Sequence, residues 1–143
     1  MTPPYPSDRW DPRQHAGGRL PGLTIQRATP AIDLQAQLIG TLEVDASTDC
    51  LVVRMEVSTP VVDGQRRVRF ETSYQLVDVA WPTGWSIAIR DGEVALIDAV
   101  GQTAARLGDE VYVGGGFVTP KQADAIPCTG HERVFRASGL SGP

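Results

Sequence analysis

A chain of 143 residues with 41% hydrophobic and 21% charged content has the length and composition of one globular domain with its own core. Its net charge of −4 is unevenly placed: residues 1–37 set Arg9, Arg13, Arg19 and Arg27 against Asp8, Asp11 and Asp33, so the remainder carries −5. That balance argues against a body built for nucleic acid, and no apolar run approaches the ~18 residues of a membrane span.

Residues 1–28 read as a Pro/Gly-rich N-terminal arm, disordered or docking, with Pro3, Pro4, Pro6, Pro12, Pro21 and the pair Gly17-Gly18. Tyr5 and Trp10 stand in it as aromatic anchors of the kind that extended Pro-rich segments place in a partner's groove. The arm has no apolar stretch of the signal-peptide type, and on that reading the chain is cytoplasmic. Residues 29–138 read as the folded domain and residues 139–143 as a short tail.

From Ile32 the apolar positions fall two apart: Ile32, Leu34, Ala36, Leu38, Leu42 and Val44, with polar residues between. That period predicts a strand, and Gly40 in its middle predicts a bend that lets one strand serve two sheets. Cys50 to Val57 returns as a second strand, and Val61-Val62-Asp63-Gly64 reads as a hairpin with Gly64 at positive φ. The next strand places Val68, Phe70, Thr72, Tyr74 and Leu76 inward. Val77, Val79 and Trp81 then sit on the opposite phase, which predicts a bulge near Leu76-Val77.

Trp85, Ile87 and Ile89 lead into Asp91-Gly92, the strongest two-residue hairpin signal, with Val94 to Asp98 as the return strand and Ile87, Ile89, Val68 and Phe70 expected in the core. Turns at Asp98–Gly101 and Leu107-Gly108-Asp109 precede Gly114-Gly115-Gly116, where the backbone has no side-chain limit. Thr119-Pro120-Lys121-Gln122 has the form of a capping box, so a helix of a turn or two is expected before Pro127. Glu132 to Ala137 closes the pattern. The fold expected is all-β: a small closed or partly open barrel, OB- or SH3-like, of about six to seven strands.

Gly40-Thr41-Leu42, Cys50-Leu51, Trp81-Pro82-x-Gly84 and Gly108-Asp109-x-Val111-x-x-Gly114-Gly115-Gly116 follow one another in that order. The stretch from Gly40 to Cys128 resembles a group of uncharacterised small β-domains from actinobacteria and other bacteria, which carries no established activity. By themselves the two cysteines fit a reduced compartment or a single disulfide equally well. The resemblance implies a Cys50–Cys128 disulfide and an extracytoplasmic setting. Both residues also fall at strand ends, which makes them expected spatial neighbours.

The chemistry-bearing residues are few. Cys128 and His131 are three apart, but a structural zinc site needs four ligands and would have to recruit Cys50, His15, Cys128 and His131 together. As a nucleophile pair they lack an orienting acid. The three glycines lack the Lys-Ser/Thr and helix start of a nucleotide loop. No catalytic residue, metal or cofactor is implied. Arg66, Arg67 and Arg69, near Phe70 and Tyr74, form the only basic-aromatic cluster.

The sequence is therefore read first as a non-catalytic barrel module that contacts another protein, or its own subunits, through the N-terminal arm. The alternative is an OB-type barrel that binds single-stranded nucleic acid with the Arg66–Arg69 strand.

Overall fold

A computed structural model describes residues 20–141. The described residues form ten strands and one short helix: β1 (Thr24–Ile25), β2 (Ala36–Asp45), β3 (Cys50–Val62), β4 (Val68–Val77), β5 (Val79–Trp81), β6 (Ser86–Arg90), β7 (Glu93–Ile97), β8 (Thr103–Arg106), β9 (Glu110–Val118), α1 (Pro120–Ala123) and β10 (Val134–Ser141). They make two sheets, one of seven strands in the order β1-β5-β10-β9-β2-β3-β4 and one of three in the order β6-β7-β8. The all-β expectation holds, with more strands than expected and with a separate second sheet. No closed barrel is found among the described residues. Within them, no helix is long and apolar enough to cross a membrane.

β2 begins at Ala36 rather than Ile32, which is exposed. The first half of β2 pairs with β9, from Ala36↔Gly115 to Thr41↔Glu110, and its second half pairs with β3, from Thr41↔Arg54 to Asp45↔Cys50. The changeover sits beside Gly40, where a Cβ would lie 2.4 Å from the Arg54 carbonyl oxygen. A side chain there would hold β3 away, so the glycine is what lets the two strands close up.

Strands from both sheets feed one core. Leu38 and Leu42 of β2, Leu51 and Val53 of β3, Val77, Val79 and Trp81, and Phe135 of β10 pack with Val94 and Leu96 of β7 and Ala105 of β8. Each large apolar side chain taken out of water here contributes about 1.5 to 3 kcal/mol. Trp81 is fully buried and stacks on Trp85, ring centroids 5.6 Å apart, at the point where the chain leaves one sheet for the other. The Asp91-Gly92 hairpin forms as expected, with Arg90 opposite Glu93. So does the capping box: the Gln122 N–H donates to the Thr119 hydroxyl, and the Gln122 side chain accepts from the Thr119 N–H.

Four expectations are corrected. The β3–β4 ladder runs without a register shift from Val53↔Val77 to Val62↔Val68, so there is no bulge at Leu76-Val77; the strand breaks at Asp78 instead. Without the bulge, the odd positions of β4 continue the core face of Val77, and Val68, Phe70, Thr72 and Tyr74 face outward. Val68 and Phe70 are solvent-exposed, as is Ile89, while Ile87 is half-buried. At the β3–β4 turn the positive φ falls on Arg66 rather than Gly64, because the Asp63 carboxylate accepts the N–H groups of Gln65 and Arg67 and sets the turn from its first residue.

The ends of the folded unit also lie outside the boundaries expected. β1 falls within residues 1–28, pairs parallel with β5, and is followed by Gln26, whose buried Nε2 donates to the carbonyls of Ala80 and Ala137. β10 continues to Ser141, into the stretch read as a tail.

Candidate contact surface

The β2–β3 ladder ends at Arg54, so among the described residues β3 has only β4 beside it from Met55 onward. The two strands run on as a twisted ribbon to the Asp63–Arg67 turn. Register and alternation give the ribbon two faces. One carries Glu56, Ser58, Pro60 and Val62 opposite Tyr74, Thr72, Phe70 and Val68. The other carries Met55, Val57, Thr59 and Val61 opposite Gln75, Ser73, Glu71 and Arg69. On the first face Val62 is 65% exposed, Val68 61%, Phe70 68% and Tyr74 43%. Four large apolar side chains in one exposed strip is more than the scattered single residues of an ordinary surface.

Arg54 anchors the base of that face. Its guanidinium lies 4.6 Å from the centre of the Tyr74 ring and its Nε lies 3.0 Å from a Glu43 carboxylate oxygen. Burial pushes the Glu43 carboxyl above the ordinary glutamate value, and Arg54 pulls it part of the way back.

The sequence singled out Arg66, Arg67 and Arg69 beside Phe70 and Tyr74. The ribbon brings them to one end of the molecule but not to one face. Arg66 and Arg67 belong to the turn, and Arg69 projects from the face opposite Phe70, paired with Glu71 at 3.0 Å. The exposed strip was missed because its apolar two-residue period is what a core strand shows.

Cys50 and Cys128 are bonded, with Cα atoms 6.0 Å apart, so the expectation that they are neighbours holds. The Cys128 sulfur is therefore no free thiolate, and among the described residues no cluster of metal-ligating groups occurs. His131 and Arg133 instead line a cleft of about 310 Å³ with Met55, Gln75, Leu76, Val77, Asp78 and Phe117. Asp78 is almost wholly buried; one carboxylate oxygen accepts the N–H and hydroxyl of Thr129, and the other has no hydrogen-bond partner among the described residues. The arm anchors Tyr5 and Trp10 lie outside the described residues.

The turn that delivers Cys50 to its partner is set by Asp45, whose carboxylate accepts the N–H and hydroxyl of Ser47 and the hydroxyl of Thr48. Burial pushes the Asp45 carboxyl up, but these hydrogen bonds, with the charge of His131, more than offset it and hold it below the ordinary aspartate value. A carboxyl depressed in the folded state contributes stability above its unfolded value, and that stability is lost as pH falls through the folded one. Asp45→Asn is therefore expected to flatten the stability loss of the chain below about pH 4, seen in urea midpoints measured from pH 7 to pH 2. An unchanged acid slope would remove Asp45 from that role.

No family model matches this chain, and no curated protein or solved structure is similar to it.

Proposed function

We propose that the chain is a non-catalytic β-barrel module that acts by protein contact through the exposed face of the β3–β4 ribbon. The observation that carries this is the solvent-facing strip of Val62, Val68, Phe70 and Tyr74 on a ribbon with no third strand beside it among the described residues.

The barrel half of the reading rests on chain continuity. Only Asp78 separates β4 from β5, and if the two are one bent strand the pairing β2-β3-β4/β5-β10-β9 returns to β2. That order, with a parallel β5–β10 pair, is the Greek-key order of an OB-type barrel. The disulfide favours an oxidising compartment. Tyr5 and Trp10 add a second attachment through the arm, and the resemblance of the stretch from Gly40 to Cys128 to the small bacterial β-domain group supports the fold reading.

One observation favours the other reading. Phe70 and Tyr74 face solvent on the strand that OB-type barrels use to stack single-stranded bases. Against it, Arg69 stands on the wrong face for a shared platform and is paired with Glu71.

A photo-crosslinking side chain placed at position 70 of the full chain, in cells that produce it, is expected to give protein adducts, and the same group at Gln122 on α1 none. Anisotropy of a labelled single-stranded oligonucleotide is expected not to change. Absence of adducts at position 70 would end the protein-contact reading. Salt-dependent oligonucleotide binding lost in Phe70→Ala and Tyr74→Ala would replace it with the second.

A further inference from the structure

The ribbon has an edge as well as a face. β4 is the last strand of its sheet and pairs only with β3, so the N–H and C=O groups on its outer side from Val68 to about Gln75 meet no strand among the described residues. Protein edges are commonly protected by proline, lysine, a bulge or a covering segment. β4 has no proline, no lysine and no register shift. Its only charges are Arg69 and Glu71, two apart on one face and 3.0 Å from each other.

From this edge we infer that the partner of the ribbon is a second copy of this chain, added antiparallel along β4 about a two-fold axis to make a four-stranded ribbon. The inference rests on the protein-contact reading above and names its partner. A two-fold axis perpendicular to the ribbon keeps each face on the same side, so residues opposite one another across the new ladder share a face. Only registers centred on a residue satisfy that.

Centred on Arg69 or on Glu71, the axis would set like charges directly against each other. Centred on Phe70, it sets Arg69 against Glu71 of the second copy and Glu71 against Arg69 of the second copy. Both charged pairs are then matched, with the two Phe70 rings adjacent on the apolar face and Val68 opposite Thr72. The present Arg69–Glu71 contact becomes one side of a square of alternating charges. The strip of Val62, Val68, Phe70 and Tyr74 then doubles into one continuous apolar surface across the axis.

The charge pattern makes the test specific. In sedimentation velocity of the full chain, the wild type is expected to show a concentration-dependent dimer. Arg69→Glu and Glu71→Arg are each expected to weaken it about tenfold, since each places two like-charged pairs across the axis. Mixed one to one, the two variants carry only Glu on one chain and only Arg on the other, and dimerisation is expected to return as a heterodimer. That recovery requires both variants to be folded, so misfolding does not imitate it.

A wild type that stays monomeric at about 1 mM, or variants that associate as the wild type does, overturns the inference; so does a mixture that stays monomeric. If the chain is monomeric while position 70 still crosslinks to another protein, the contact reading stands and only the second copy is removed. If it is monomeric and crosslinks to nothing, both fall.

Discussion

Reduction of the Cys50–Cys128 bond is expected to lower the free energy of unfolding by about 4 to 5 kcal/mol. The bond joins residues 78 apart, and a loop of that length loses much of its conformational freedom in the unfolded chain when closed. Small domains hold only about 5 to 15 kcal/mol in all, so the loss would take the reduced chain close to marginal.

The native side of the bond is also well supported. Gly22 accepts the Leu51 N–H and donates to the Asp49 carbonyl beside it, and a Cβ on Gly22 would lie 2.4 Å from the Cys128 sulfur. The Cys128 N–H donates to the buried Thr24 hydroxyl. Three segments therefore meet at the sulfur pair: the approach to β1, the start of β3 and the connection into β10. Urea unfolding of the native chain and of the double variant Cys50→Ser/Cys128→Ser measures the effect. The variant should show a lower midpoint and a steeper slope, since its unfolded state exposes more surface. A midpoint that does not move when both thiols are shown to be free would refute the expectation.

Gly115→Ala is expected to cost about 3 kcal/mol or more, and to leave much of the chain unfolded when the disulfide is also absent. Gly115 has φ +151°, which side chains rarely adopt, and an added Cβ would stand 1.9 Å from the Arg136 carbonyl oxygen. The clash is with the backbone of the neighbouring strand, at the place where the β9–β10 register shifts between Ala137 and Gly139. Neither side can yield without parting the ladder. Gly92→Ala is the control: its φ is also positive, but no atom of the described residues lies within 4 Å of the added Cβ, so about 1 kcal/mol is expected. Thermal melts of the two variants side by side separate a backbone clash from conformational preference alone. Equal losses would sink the argument.

The three consecutive glycines show how far a sequence can be read. Freedom from side chains was visible; the reason for it was not. Each of the three meets a different neighbour: Ser138 at Gly114, the Arg136 carbonyl at Gly115 and the Leu34 side chain at Gly116. Those contacts come from β10 and from the approach to β2, far apart in the chain, and no local pattern encodes them.

What the sequence determined by itself was local. The Asp91-Gly92 turn and the Thr119–Gln122 capping box each fix a structure within a few residues and formed where expected, while the two-residue period of Ile32 to Val44 formed a strand that starts only at Ala36. Tertiary structure decided which face of β4 is inside. The alternation of Val68, Phe70, Thr72 and Tyr74 reads the same in a core strand and in a ribbon that has left the core, because period records that a strand has two different faces and not what lies against either. The unbroken β3–β4 register keeps the even positions of β4 on the face opposite Val77, and the end of the β2–β3 ladder at Arg54 leaves no third strand beside them among the described residues, so an expected core stripe is an exposed one.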